Sequence, residues 1–100
     1  MIPKELGNDI IYLKSELHYV RVVTTVGETL VLFNMKDAMA DLKNNYKGIQ
    51  THRSYWVSSH YIKSLITDKN RKYIITSKDQ RIPVSRRKLV LVKEFMRRRL

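Results

Sequence analysis

The chain has 100 residues, of which 43% are hydrophobic, and 20 lysines and arginines against 9 acidic residues give it a formal net charge of +11. This length and composition indicate one globular domain and exclude a disordered chain. The absence of cysteine excludes disulfides, thiol catalysis and cysteine-type zinc sites, and it suits a cytoplasmic protein. The longest apolar runs are only a few residues long, so no segment is expected to span a membrane.

The positive charge is concentrated in one part of the chain. Residues 1–40 contain four basic and five acidic side chains, whereas residues 41–100 contain sixteen basic and four acidic ones. Such an asymmetry favours a partner with dense negative charge, and nucleic acid is the first candidate. The alternative is that the excess charge serves only solubility.

The first forty residues predict a lead-in, a hairpin and a helix. Residues 1–8 contain Pro3 and Gly7 and are interpreted as a lead-in or linker before a single domain over residues 9–100. Residues 10–13 predict a strand, and the alternation over 18–25, the turn at 26–28 and the return over 29–33 predict a hairpin.

Asn34 is the predicted N-cap of a mid-chain helix that ends near residues 44–45. Asp37 falls in its first turn, where negative charge suits the helix dipole. The four apolar residues Met35, Ala38, Met39 and Leu42 fall on one stripe at helical spacing. We expect this stripe to face the core.

The second half predicts short strands and a final helix. Residues 61–66, 71–76 and 81–84 are predicted strands separated by polar turns. Pro83 cannot donate to a ladder, so the last strand lies at a sheet edge or Pro83 lies at the end of its strand. Ser85 is the predicted N-cap of the final helix, whose core face comprises Leu89, Val92, Phe95 and Met96. The sum is a mostly β (α+β) fold of short antiparallel strands with a mid-chain and a C-terminal helix.

Arg86 and Arg87 are an anomaly at the start of that final helix, and Lys88 follows them. Positive charge in a first helical turn opposes the dipole, at a cost of about 0.3–1 kcal/mol per exposed group. The free N–H groups of a helix start also bind anions, so arginines around them would form a phosphate site or a probe for guanine edges. The alternative is an exposed charge cluster that is tolerated at small cost.

A second candidate site surrounds Arg53, which is flanked by His52, Ser54 and Tyr55. Arginine makes bidentate contacts, and hydroxyl groups suit phosphate oxygens. The alternative for Arg53 is a surface ion pair. Tyr55 and Trp56 adjoin in a strand and point to opposite faces, and Trp56 is the expected core residue.

His18 and Tyr19 open the second strand directly after a turn. Both side chains could hydrogen-bond a base edge or a phosphate from a loop tip. The alternative for Tyr19 is a role in the core or on the sheet surface.

Other chemistries find no support in the sequence. The three histidines lack the spacing of a metal site, and no glycine-rich nucleophile turn, phosphate-binding loop or dinucleotide motif is present. We expect no enzyme activity, metal, cofactor or small-molecule substrate.

Four segments, taken in chain order, resemble the LytTR family of DNA-binding domains from about Asp9 to Met96. They are Asp9-Ile10-Ile11-Tyr12-Leu13, His18-Tyr19-Val20, His52-Arg53-Ser54-Tyr55-Trp56-Val57 and Val84-Ser85-Arg86. The resemblance implies an elongated, mostly β fold of small antiparallel sheets with short helices packed between or beside them. It also implies a sequence-specific bacterial transcription regulator that inserts loops into successive major grooves.

The resemblance assigns roles to single residues. Its implied base contacts are His18 or Tyr19, Arg53 and Arg86, since the match around His18 and Tyr19 can slip by one position. Its implied backbone contacts are Ser54, Arg87 and Lys88. Ser58 and Ser59 depart from the family pattern, which usually has an asparagine there.

The resemblance also implies partners. These are double-stranded DNA with tandem half-sites, a second copy of the chain on that DNA, and an N-terminal receiver domain or membrane region in a longer parent chain. The chain is then either a stand-alone regulator or an excised domain, and the lead-in favours excision. An alternative from another class stays open: a membrane-surface or protein-adaptor module that docks through the basic C-terminal helix.

Overall fold

A computed structural model describes residues 9–99, and the predicted lead-in therefore lies outside the described residues. The strands are β1 (Ile10–Glu16), β2 (Tyr19–Thr24), β3 (Gly27–Val31), β4 (Gly48–His52), β5 (Tyr55–Ser58), β6 (Ile62–Asp68), β7 (Arg71–Thr76) and β8 (Arg81–Val84). The helices are α1 (Met35–Leu42) and α2 (Leu89–Arg99), and a short 3-10 turn covers Ser59–Tyr61.

The strands form two antiparallel sheets. The first has the order β3-β2-β1-β5-β4, and the second has the order β6-β7-β8. This confirms the predicted fold of small antiparallel sheets with a mid-chain and a C-terminal helix. Pro83 lies in β8, the last strand of its sheet, as predicted. Among residues 9–99, no helix is long and apolar enough to cross a membrane.

Two hydrophobic clusters pack against opposite faces of the first sheet. Trp56 and Val57 adjoin in β5 and so point to opposite faces. Trp56, 6% exposed and predicted to be core, joins the cluster under α1, whereas Val57 joins the cluster between the two sheets and α2. The second cluster is formed by Val57, Ile62, Ile74, Ile82, Val84 and Val92.

Helix α1 begins as predicted and ends earlier than predicted. The Asn34 side-chain oxygen accepts a 2.8 Å hydrogen bond from the Asp37 N–H, and Met35, Ala38 and Leu42 are buried. The helix ends at Leu42, because residues 43–45 form a polar turn that the Tyr46 N–H closes on the Leu42 carbonyl at 2.9 Å.

One buried residue joins the two sheets. The carbonyl oxygen of Thr51 in β4 accepts a 2.9 Å bond from the N–H of Ser85, directly after β8. Its hydroxyl donates to the carbonyl oxygen of Pro83, also at 2.9 Å. Thr51 is fully buried. The end of β8 is therefore held beside the end of β4.

The start of α2 differs from the prediction. Ser85 caps a separate turn over residues 86–88, in which its side-chain oxygen accepts from the Lys88 N–H at 3.3 Å. The helix itself begins at Leu89. The predicted place of Arg86 and Arg87 in the first helical turn is wrong, because the bond from Ser85 to Thr51 holds the chain against β4 before the helix can start.

Candidate nucleic-acid interface

The strand register brings two of the predicted loops to the same end of the molecule. Lys14 of β1 lies opposite Tyr55 of β5, and the Ser15 N–H donates to the Ser54 carbonyl at 2.8 Å. The Arg53–Ser54 turn between β4 and β5 therefore lies beside the end of β1. The two-residue tip between β1 and β2, Leu17 and His18, extends past it by a few residues, at about 3.3 Å each.

The turn over residues 86–88 lies at this end as well. The bond from Ser85 to Thr51 places it next to the Arg53–Ser54 turn. The structure thus brings together Arg53, Ser54, Arg86, Arg87 and Lys88, which the sequence predicted as two separate sites. His18 and Tyr19 lie at the neighbouring tip, two strands away in the first sheet.

Two clefts open between these loops, and both are lined by His52 and Ser85. The helix-side cleft, of about 470 Å³, has the basic residues Arg53, Arg87 and Lys88 in its walls. The hairpin-side cleft, of about 570 Å³, is also lined by Asn70, Arg71, Lys72, Tyr73, Pro83, Val84, Arg86 and Leu89. Among residues 9–99, no acidic residue lines either cleft.

The arginines fall into two groups, according to whether they bond to another group within the described part of the chain. Arg21, Arg81, Arg97 and Arg98 each form an ion pair with a carboxylate, and Arg99 donates to two carbonyl oxygens. Among residues 9–99, no acidic side chain pairs with Arg53, Arg71, Arg86 or Arg87. All four are exposed and all four line the two clefts. Their charges are therefore uncompensated at one place on the surface, where a polyanion would bind.

Local hydrogen bonds hold the Arg53 turn in one shape. The His52 ring nitrogen Nδ1 accepts a 3.1 Å bond from the Ser54 N–H, and the Gln50 amide donates to the Arg53 carbonyl at 3.3 Å. The His52 ring also packs edge-on against Tyr55, with 5.8 Å between ring centroids. These contacts fix the backbone and leave the Arg53 guanidinium free. A preordered turn loses less entropy when its side chain binds.

The β1–β2 tip projects into solvent. Leu17 is 97% exposed and has a φ of 54°, a left-handed conformation that is uncommon for a branched apolar residue. His18 beside it is exposed, whereas Tyr19 belongs to β2 and is 45% exposed. Backbone strain of this kind persists where the surrounding structure imposes it, and it often marks functional loops.

The basic C-terminal run is engaged within the molecule. Arg97 and Arg98 both donate to the Glu94 carboxylate, and the bond from Arg97 is the main cause that lowers the pKa of Glu94. Arg99 donates to the carbonyl oxygens of Ser59 and Ile62 at 2.6 and 2.7 Å. These arginines stabilise α2 and its contact with the 3-10 turn.

Sequence reasoning missed Arg71 and the β6–β7 hairpin tip. The segment Asp68-Lys69-Asn70 was predicted as a polar turn, and residues 71–76 as a strand. Nothing in that pattern shows which end of the molecule the turn occupies. The register supplies this, because Lys72 lies opposite Val84 and Arg71 therefore lies opposite Ser85. An arginine next to a polar turn was the available signal.

Exposed arginines without ion-pair partners, presented by loops at one end of an antiparallel frame, define a nucleic-acid-binding domain. The family model of the LytTr DNA-binding domain matches residues 5–97, and the chain belongs to this family of DNA-binding transcription regulators.

A solved structure supports the fold. It is the LytTr DNA-binding domain of a protein from Bacillus cereus, described as a methyl-accepting/DNA response regulator, and it is similar to this chain with a TM-score of 0.76. The match has 18% sequence identity and covers 95% of this chain and 84% of the other. A comparison with curated proteins gave no match.

Proposed function

We propose that this chain binds duplex DNA sequence-specifically, as the effector domain of a cytoplasmic bacterial transcription regulator. The observation that supports this most is the group of four arginines without ion-pair partners around two adjoining clefts. Phosphate contacts would supply much of the affinity, and base contacts would supply the preference for one sequence.

The roles follow from position in the loops. Arg53 and Arg86 have free guanidinium groups on ordered turns, and each is suited to a bidentate contact with the O6 and N7 atoms of guanine. His18, at the extreme of its tip, is the third base contact, and Tyr19 is the alternative at that tip. Ser54, Arg87 and Lys88 lie beside these groups and would contact the DNA backbone.

The spacing of the strands gives the length of the row along which the DNA-contacting loops lie. Five strand spacings separate the β1–β2 tip from the β6–β7 tip if β4 and β8 count as neighbours, which makes a row of about 24 Å. A row of this length covers about two thirds of the 34 Å of one helical turn of DNA. We therefore infer that the loops enter successive major grooves on one face of the duplex. A second copy would bind a tandem half-site.

The test is a selection from random duplexes, followed by salt titrations of the selected site and of a scrambled control. An enriched motif whose duplex stays far tighter than the control as salt rises would support base readout. Equal affinities that collapse together would show binding to any polyanion, and the proposal would fail.

Arg86→Ala tests the base contact directly. We expect it to weaken the selected site by about 1–3 kcal/mol, as for a lost bidentate guanine contact, and to weaken the scrambled duplex less. Fluorescence anisotropy on both duplexes measures this. Arg98→Ala is the matched control, because it also removes one arginine, which pairs with Glu94 at 3.3 Å outside the clefts. Equal losses on both duplexes would make Arg86 a phosphate contact instead.

The membrane-surface or adaptor alternative depends on a free basic helix at the C-terminus. The hydrogen bonds of Arg97, Arg98 and Arg99 within the chain argue against such a helix. Co-sedimentation with anionic vesicles in the presence of excess duplex separates the two functions. Vesicle binding that survives the duplex would favour the alternative.

A further inference from the structure

We propose that the tip of the β6–β7 hairpin, Lys69 to Arg71, is a further DNA-contacting element, and that it binds the sugar-phosphate strand beside the groove that Arg86 enters. This inference rests on the proposed function. It adds a loop that neither the sequence motifs nor the family resemblance assigned.

The hairpin tip is ordered up to its last pair. Asp68 and Arg71 face each other as the final register pair, and Lys69 and Asn70 form the two-residue connection, with φ values of 51° and 67°. Left-handed conformations at both positions match the twist of the flanking strands. The tip therefore projects as a stiff extension of the sheet, which can hold a cation at a fixed position.

Arg71 is left free by an arrangement around its neighbour. The acidic residue nearest to it in register is Asp68, and Asp68 is engaged by Arg81 at 2.9 Å. Arg81 also lies over the Tyr73 ring, 4.7 Å from its centroid. With Asp68 neutralised by Arg81 of β8, the guanidinium of Arg71 is available to an external anion.

Arg71 and Arg86 line the same cleft. The cleft of about 570 Å³ is also lined by Lys72, whose ammonium donates to the Thr67 hydroxyl, and by the apolar residues Pro83 and Leu89. A cleft lined by both apolar and cationic side chains suits a nucleic-acid strand, because the sugars can contact the apolar side chains while the phosphates meet the cations.

The distance between this hairpin tip and the end of β8 favours a contact with a phosphate over a contact with a base. The tip lies about one and a half strand spacings from the end of β8, which is about 7 Å. The major groove of DNA is about 12 Å wide, so a group 7 Å from one at the groove centre lies over the bordering phosphates. Contacts there hold the domain in place without reading the sequence.

The experiment is Arg71→Ala in the whole chain, assayed on the selected duplex and on the scrambled control across a salt series. We expect affinity for both to fall by the same factor, about 3- to 10-fold, and the salt slope to decrease by about one unit. Lys78→Ala is the matched control. It removes one exposed positive charge from the turn between β7 and β8, at the opposite end of the same sheet, and should change either affinity by less than about twofold.

A second variant tests whether a loss of DNA affinity comes from the charge at the tip and not from a change in folding. Asn70→Asp keeps a residue type that tolerates positive φ and places a negative charge at the tip. It should also weaken both duplexes, with thermal unfolding unchanged.

The outcomes separate this inference from the proposed function. A loss no larger than that of Lys78→Ala would overturn the role of the hairpin, while selective loss in Arg86→Ala would leave the proposed function intact. A loss confined to the selected duplex would also overturn the backbone assignment, since it would make Arg71 a base contact. A wild-type chain without any sequence preference would remove the proposed function before any variant is made.

Discussion

Thr51 determines how the two arginine-bearing turns lie relative to each other. Its hydroxyl and its carbonyl each form a 2.9 Å bond to the chain around Ser85, and no part of the residue reaches solvent. Arg53 follows it by two residues and Arg86 follows Ser85 by one. A shift at this junction would therefore displace one guanidinium against the other.

Thr51→Val removes the hydroxyl with little change of shape. We expect a loss of about 1–2 kcal/mol in the free energy of unfolding, because the Pro83 carbonyl loses its bond in a buried place. We also expect a larger loss of affinity for the selected duplex than for a scrambled one. Urea denaturation and anisotropy measure the two effects.

Thr25→Val is the control for that variant. Thr25 is exposed in the turn after β2, and its side chain has no described hydrogen bond, so its replacement should change stability by less than about 0.5 kcal/mol. If Thr51→Val matched it in both assays, the junction would not hold the turns.

At the scale of elements, α2 is fixed at both ends by polar contacts outside its own backbone. Ser85 and Thr51 hold the turn that precedes it. Arg99 holds its far end on the 3-10 turn through two carbonyl oxygens. The helix packs Val92 into the second cluster between these two points. Its orientation in turn positions Leu91, which lines the helix-side cleft together with Lys88 of the preceding turn.

Arg99→Ala should lower stability by about 1 kcal/mol, because it removes both charged hydrogen bonds from a partly exposed site. Arg98→Ala should have a smaller effect, since it removes only an exposed pair with Glu94. Thermal unfolding of the two variants makes the comparison. If Arg98→Ala were the more damaging of the two, the contact of Arg99 with the 3-10 turn would not stabilise α2.

Elements with strong local signals were predictable from the sequence. Asn34, as an N-cap, predicted the start of α1. The bounds of β7 and β8 follow from β-branched residues between polar turns. Alternation placed Tyr55 and Trp56 on opposite faces of a strand, and the choice of Trp56 as the core residue is confirmed. Each of these depends on residues close together in the chain, so no knowledge of the remaining fold was needed.

Features that depend on distant pairing were not predictable. β6 continues to Asp68 because it pairs with Arg71 across a two-residue turn, and the sequence alone assigned Asp68 to the turn. The start of α2 depends on the hydrogen bond from Ser85 to Thr51, which lies 34 positions earlier in the chain. The sequence alone identified Ser85 only as a helix cap. The place of Arg71 in the interface follows from register as well. Composition carries none of this information.

At the scale of the whole molecule, the four exposed arginines that lack an ion-pair partner among residues 9–99 are gathered at one end. The β1–β2 tip, the Arg53 turn, the turn over residues 86–88 and the β6–β7 tip all lie at this end, while the Ser77–Lys78 turn lies at the other end of the second sheet. The domain should therefore approach DNA end-on, with its strands pointing at the duplex.

The absence of cysteine allows a direct test of that orientation. A single cysteine at Leu17, Lys69 or Ser77 can carry a tethered iron chelate that cleaves nearby DNA. We expect cleavage from the first two positions, at sites about 7 base pairs apart, which is the 24 Å row divided by the 3.4 Å rise.

A label at Ser77 should give little cleavage, because this turn points away from the duplex. Cleavage from Ser77 comparable to that from Lys69 would contradict the end-on approach. Coincident cuts from Leu17 and Lys69 would contradict the order of the loops along the DNA.

The exposed tips contribute no side chain to either hydrophobic cluster. Neither His18, Arg53, Arg86 nor Arg71 belongs to the core residues under α1 or between the sheets. Substitutions at these positions should therefore cost little folding free energy. If the tips read bases as proposed, exchange of tip residues would change the preferred DNA sequence while the sheets and helices stay constant, and it would be a route to regulators with new operators.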